Sequence, residues 1–241
     1  MPGGGDNGWR VRWVEEVDST NRVLVEAARA GAEAGEVLVA DHQTAGRGRL
    51  GRSWTAPPGA SLLVSVLLRP GTFPEALAVD QAYRLTMAAG LGAVRACEEV
   101  AGVRAGLKWP NDLVVGDRKL AGLLAESAVS GGALEAVVVG MGLNVAWAPE
   151  EATCLGASVD RRELLDGFLA AFRSELDDLG GVPARYRRHC STIGRRVRVE
   201  LPDGSVEGTA VDVASDGRLE VDVAGTRRSF AVGDVVHLRP S

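Results

Sequence analysis

The chain has 241 residues, with 27 Lys and Arg against 32 Asp and Glu, a formal net charge of −5, 46% hydrophobic and 24% charged residues. This balance excludes a disordered chain and argues against a general nucleic-acid coat, which needs a basic surface. No apolar run approaches the roughly 20 residues of a membrane span, and the start Met-Pro-Gly-Gly-Gly-Asp lacks the basic-then-apolar order of a secretory signal, so a soluble cytoplasmic protein is expected.

Length suggests one large domain, or a medium domain with a small appended module. Residues 1–8 are Gly-rich and read as disordered. Trp9, Val11 and Trp13 alternate with arginines as a first strand, and Asp18-Ser19-Thr20 offers N-cap chemistry to a helix closed by Gly31. Val37 to Val39 is a short buried strand, followed by a polar loop from His42 to Pro58. Ser61 to Leu68 reads as an apolar strand and Leu77 to Val100 as a long buried helix. Leu113 to Val115 turns at Gly116-Asp117 into Lys119 to Ala125, and Gly131-Gly132 turns into Ala136 to Val139. Asp160 and Glu163 have capping-box spacing ahead of an apolar stripe from Leu164 to Leu176, stopped by Gly180-Gly181. After Ile193 the pattern changes to alternation at Val197/Val199/Leu201, Val211/Val213 and Leu219/Val221/Val223, with turns at Asp203-Gly204, Asp216-Gly217 and Gly225. Hairpins mixed with helices give an α+β body at residues 9–190, and residues 191–241 form a small all-β module docked on it.

Cysteine and histidine add little. Cys97, Cys154 and Cys190 are scattered, as are His42, His189 and His237, so reduced thiols and no metal-ligand set are expected. Glycine is over-represented, 31 residues against the ~7% of an average chain. Gly46-Arg47-Gly48-Arg49-Leu50-Gly51 is a literal G-x-G-x-x-G and, with Arg52-Ser53, nearly a P-loop. Both motifs need a helix next, which Pro57-Pro58-Gly59 forbids. What remains is a flexible loop carrying Arg47, Arg49 and Arg52. It reads either as a solvated basic surface or as an anion clamp whose guanidinium forks grip phosphate.

Five further segments occur in order: Asp18-Ser19-Thr20-Asn21, Gln43-Thr44-Ala45-Gly46-Arg47-Gly48-Arg49, Lys108-Trp109-Pro110-Asn111-Asp112, Lys119-Leu120-Ala121-Gly122 and Gly140-Met141-Gly142-Leu143-Asn144-Val145. Each alone is weak. Together, in register, they resemble the biotin protein ligases, in the short form without an N-terminal DNA-binding domain. Ala56 departs from the Ser often found before the Pro in that family, where a backbone contact would survive the change.

The resemblance implies a class II synthetase-like, biotin-lipoyl ligase-like catalytic domain, a mixed or antiparallel sheet with packed helices, plus a C-terminal SH3-like β-barrel. It implies activation of biotin by ATP with Mg²⁺ to biotinyl-adenylate and pyrophosphate, then AMP-forming transfer to a lysine of a biotin carboxyl carrier protein. Lys119, Arg49, Arg47 and Asp112 become the expected catalytic groups. Ser19, Thr20, Asn21, Gln43, Gly46, Arg47, Lys119, Gly122, Leu124 and Gly140 become the biotin contacts. Arg47, Gly48, Arg49, Arg52, Trp54, Lys108, Asn111, Asp112, Lys119 and Asn144 would bind ATP or the adenylate, and no protein-held metal is expected. Each also has a plain reading: Trp54 as core, Lys119 as a solvated hairpin lysine, Asn144 as a strand-end turn residue. Lipoyl or octanoyl ligation is the nearest rival, and a nucleic-acid-binding β module the non-enzymatic one. A monomer or weak homodimer with no specific DNA or membrane partner is expected.

Overall fold

The protein is described from a computed structural model covering residues 8–73, 77–130, 132–231 and 233–238. The N-terminal segment expected to be disordered, apart from Gly8, and Gly131 of the Gly131-Gly132 turn lie outside the described residues.

Seven strands form one mixed sheet: β1 (Arg10–Val17), β2 (Glu36–Gln43), β3 (Ser61–Leu68), β4 (Gly106–Lys108), β5 (Asp112–Val115), β6 (Arg118–Ser130) and β7 (Ala133–Asn144). Their order is β1-β2-β3-β7-β6-β5-β4, and only β1 and β2 run parallel. The α1 helix (Thr20–Arg29) makes that parallel connection, since parallel neighbours need a crossover. Its N-cap is Ser19, whose hydroxyl accepts from Arg22 N at 3.4 Å.

The two sheet faces are covered unequally. On one, α2 (Tyr83–Ala101) and α3 (Arg161–Leu176) bury Leu62, Val64, Val66, Val137, Val139 and Leu123 with Phe168 and Phe172 in the main core. Gly92 lets these helices touch: a Cβ there would sit 2.9 Å from the Phe172 nitrogen. On the other face α1 covers a smaller patch, Leu38, Leu67, Ala136 and Val138 with its own Leu24 and Ala28, and Val14 and Ala128 pack against it. Beyond its N-terminus the sheet presents Ser65, Gly140, Gly142 and Gly122. Small residues there leave a hollow where large ones would have filled it.

Several expectations shift. β2 runs on to Gln43, so His42 and Gln43 belong to a strand rather than to the polar loop. The long helix starts at Tyr83, preceded by a 3₁₀ turn at Val79–Gln81. β6 and β7 outrun their apolar cores, because Gly140 and Gly142 sit inside a strand instead of ending it. α3 ends at Leu176, before Gly180-Gly181. β4 and α4 (Val182–His189) were unforeseen: three residues cannot show alternation, and α4 buries only Val182, Pro183 and Tyr186 in an arginine-rich turn.

The C-terminal module is a five-stranded antiparallel sheet of β8 (Arg196–Leu201), β9 (Gly204–Val213), β10 (Leu219–Val223), β11 (Thr226–Phe230) and β12 (Asp234–His237). Its order is β11-β10-β9-β8-β12, and the outer strands are not paired with each other among the described residues. Val211 is the extra residue of a β-bulge, so Ala210 and Val213 both face inward and the expected Val211/Val213 alternation is broken. Val197, Val199, Leu219, Val221 and Val235 share one core with the body. Polar bonds cross the same seam: Trp109 Nε1 donates to Gly217 O at 2.9 Å and Tyr83 OH to Ser215 O at 2.6 Å. Among the described residues no helix is long and apolar enough to cross a membrane.

Candidate active site

The hollow ahead of α1 opens into a cleft that collects most of the expected residues. Ser19, Thr20, Asn21, Gln43, Arg47, Gly48, Arg49, Arg52, Trp54, Asn111, Asp112, Lys119, Gly122, Leu124 and Gly140 all line it. Gly46, Lys108 and Asn144 do not. The Gly46 carbonyl accepts from Trp54 N at 2.9 Å, and a Cβ at Gly46 would lie 2.4 Å from Trp54 O, so Gly46 permits the loop to double back. Lys108 sits on β4 opposite Asp112, with its charge felt at His237 of the module. Asn144 is buried at the end of β7, its amide donating to Thr153 O at 3.1 Å.

One end of the cleft is neutral and hydrogen-bonding. Gln43 Oε1 accepts from Thr20 N at 2.8 Å and lies 3.0 Å from Thr20 Oγ1. Ser65 Oγ, fully buried, is 2.7 Å from Thr20 Oγ1 and 2.6 Å from Asn21 Oδ1. Asn21 Nδ2 donates to Leu124 O at 3.1 Å and to Glu126 Oε2 at 2.8 Å. The Asn21 amide lies against the Gly140 backbone: a Cβ on Gly140 would be 2.1 Å from Asn21 Oδ1. Gly140 is therefore in place for close approach, not for a turn.

The other end is cationic. Lys119, on the β5–β6 hairpin, puts Nζ 2.7 Å from Asp112 Oδ1. Gly122, paired with Asp112 across the hairpin, leaves room for this, since a Cβ there would come within 3.1 Å of Nζ. Arg49 NH1 donates to Asn111 Oδ1 at 3.1 Å, Arg47 NH2 to Glu126 Oε2 at 3.1 Å, and Arg52 pairs with Asp234 of the module. Burial lowers the Arg49 pKa from its ordinary value, opposed by Asp234 and Asp112. These three arginines ride a hairpin loop bridged at Arg47 and Ser53, whose tip turns at Leu50 and Gly51 with φ of +57° and +74°. No helix follows the loop, so neither the dinucleotide nor the P-loop geometry forms.

Trp54 joins the two ends. Its ring lies on the Gly142 backbone, where a Cβ would come within 2.5 Å of it, and Lys119 Nζ is 5.7 Å from the ring centroid. Its Nε1 is buried with no partner in the protein among the described residues. A buried N–H is costly to leave unpaired, so this donor suits a ligand. The sequence reading missed Gly142, Ser65, Glu126 and Asp234. Gly142 stood inside a quoted motif, and its spacing from Gly140 on one strand face was the available signal. Ser65 sat in an apolar strand, Glu126 beyond the motif, and Asp234 in another module, with nothing local to mark them.

Comparison with known proteins agrees with this geometry. Residues 13–144 match the Biotin/lipoate A/B protein ligase family and residues 192–238 the biotin protein ligase C-terminal domain. The biotin--[acetyl-CoA-carboxylase] ligase of Mycobacterium tuberculosis is 41% identical, over 98% of this chain and 92% of that protein. The bifunctional ligase/repressor BirA of Bacillus subtilis is 30% identical over 84% of this chain and 66% of that protein. The biotin protein ligase of Aquifex aeolicus, solved with biotin and ATP, superposes with a TM-score of 0.77 at 29% identity, covering 96% of this chain and 99% of that one. The chain belongs to the Biotin/lipoate A/B protein ligase family.

Proposed function

We propose that this protein is a biotin protein ligase that joins biotin to ATP and then passes the biotinyl group to a carrier lysine. The observation that carries the reading is the polarity of this cleft, with neutral donors and acceptors at Thr20, Asn21 and Gln43, a glycine floor, and cations at Lys119, Arg47, Arg49 and Arg52. A ureido ring suits the first end and a triphosphate the second.

In the first step a biotin carboxylate oxygen attacks the α-phosphorus and the bond to pyrophosphate breaks. Two anions meet, so fixed cations lower the barrier most where charge builds. Lys119 is assigned that position, between the carboxylate and the α-phosphate. Arg47 and Arg49 hold the phosphates as the loop orders over them, and Arg52 ties the loop to Asp234. Mg²⁺ bound to the nucleotide supplies further neutralising charge, with Asp112 and Asn111 the side chains that would face it; no cluster of three metal-ligating side chains occurs among the described residues. In the second step a carrier lysine amine attacks the acyl carbon, loses its proton, and AMP leaves. Trp54 is assigned to the adenine side, its indole N–H available to the adenylate. Adenylate formation is assigned to residues 9–190, with residues 191–241 steadying the arginine loop.

The partner assigned is the biotin carboxyl carrier domain of a carboxylase, met in the cytoplasm by a monomer or weak homodimer that reads no operator. Sedimentation and a gel shift with operator-length DNA check the last two. The decisive assay is mass spectrometry of a carrier domain after incubation with ATP, Mg²⁺ and either biotin or lipoate. A biotin-only mass gain supports the reading; modification by lipoate alone would reassign the chain to the other branch of its family.

A further inference from the structure

We infer that Glu126 is a positioning residue that sets the direction of the hydrogen bonds in the biotin pocket, acting on Thr20 through Asn21 and Ser65. The inference rests on the biotin reading above. Glu126 does not touch Thr20; it accepts from Asn21 Nδ2 at 2.8 Å and from Arg47 NH2 at 3.1 Å.

The direction follows from counting protons. A carboxylate and a backbone carbonyl only accept, so Glu126 and Leu124 O fix Asn21 with its NH₂ toward them and Oδ1 toward Ser65. Asn21 Oδ1 carries no hydrogen, so the 2.6 Å contact takes the single Ser65 hydroxyl proton. With the Ser65 proton spent on Asn21, the single Thr20 proton has two oxygens in reach, Ser65 Oγ at 2.7 Å and Gln43 Oε1 at 3.0 Å, and the shorter contact takes it. The chain runs Thr20 to Ser65 to Asn21 to Glu126. Gln43 Oε1 is held by the Thr20 backbone N–H instead, 2.8 Å away, and its 3.0 Å neighbour Thr20 Oγ1 has no proton left to offer it. Two acceptor oxygens thus converge on the cleft, an arrangement that a ligand N–H relieves. A cyclic urea presents such N–H groups.

Removing the carboxylate leaves Leu124 O, a longer and uncharged acceptor, as the remaining brace on the Asn21 amide. If the amide turns over, Ser65 accepts from Nδ2, donates to Thr20, and Thr20 donates to Gln43. The Thr20 proton then lies between Thr20 Oγ1 and Gln43 Oε1, so the two oxygens satisfy each other and no longer call for a biotin N–H.

The test measures biotin-dependent pyrophosphate exchange for Glu126→Ala, Glu126→Gln, Ser65→Ala and the Glu126→Ala/Ser65→Ala pair. Glu126→Ala should raise the biotin KM by roughly tenfold, the scale of one charge-assisted hydrogen bond, with kcat at saturating biotin and the ATP KM within about threefold. Glu126→Gln, which can still offer an oxygen to Asn21, should restore the biotin KM to within about threefold. In the Ser65→Ala background, where the relay is cut, Glu126→Ala should change the biotin KM by less than about twofold. An effect of Glu126→Ala that persists undiminished without Ser65 would place its action on Arg47 or on general stability and overturn the relay, as would an unchanged biotin KM in Glu126→Ala. If Glu126→Ala does not fold, failure of Glu126→Gln to keep the wild-type biotin KM overturns it. Absence of exchange in the wild-type protein would refute the biotin reading instead.

Discussion

Lys119→Ala separates catalysis from binding. Lys119 Nζ is 2.7 Å from Asp112 Oδ1, with the two side chains 40% and 17% exposed. A pair this open contributes ~0.2–1 kcal/mol after solvent screening, so its loss should lower the melting temperature by no more than about 2–4 °C in a chain of this size. Its assigned contact with the charge building at the α-phosphate belongs to a different scale. Deleting one such donor costs on the order of 10²–10³ in rate, about 2.7–4 kcal/mol. The loss should fall on kcat, while the ATP KM rises less than about fivefold, because Arg47 and Arg49, the residues assigned to the phosphates, are unchanged. Exchange of labelled pyrophosphate into ATP in the presence of biotin reads both constants. Exchange by Lys119→Ala within about threefold of wild type would refute the assignment.

Arg49→Gly should let the adenylate escape: losing its contacts to Asn111 and Gly233 O and to phosphate, at about 1.5–3 kcal/mol for a charge-assisted bond, speeds release roughly ten- to a hundredfold, read as biotin on serum albumin in the same tube. Gly140→Ala should cut biotin affinity by at least about tenfold with ATP binding unchanged, because the new Cβ would sit 2.1 Å from Asn21 Oδ1 and displace it; calorimetric titration of each ligand checks this. His237 is held at about 4, chiefly by burial and then by the nearby Lys108 and Arg195 charges, against an ordinary 6.5. The unfolded chain therefore binds the proton more readily, so stability should fall as pH drops from about 6.5 to about 4. In His237→Gln, which keeps a partner for Thr192, that slope should flatten, and an unchanged slope in urea titrations would sink the account.

What was legible in the sequence was whatever rests on local chemistry. Ser19 caps α1, the eight residues Ser61–Leu68 form a strand buried on both faces, and Pro57-Pro58-Gly59 denies the arginine loop a following helix. The five motifs then named the fold and most of the cleft, because each carries its residues within a few positions of one another. Tertiary structure decided the rest. Ser65 sits in an apolar run and Glu126 looks like any outward strand residue, yet they meet Asn21 from 44 and 105 positions away. Asp234 reaches the arginine loop from a different module, across 182 positions. Lys108, by contrast, keeps its motif place on β4 and still falls outside the cleft lining, its charge being felt at His237 of the module. Spacing along a chain fixes which face of a strand a residue occupies. Which acceptor ends a line of buried protons depends on how three strands and a helix end meet, and only the folded packing sets that.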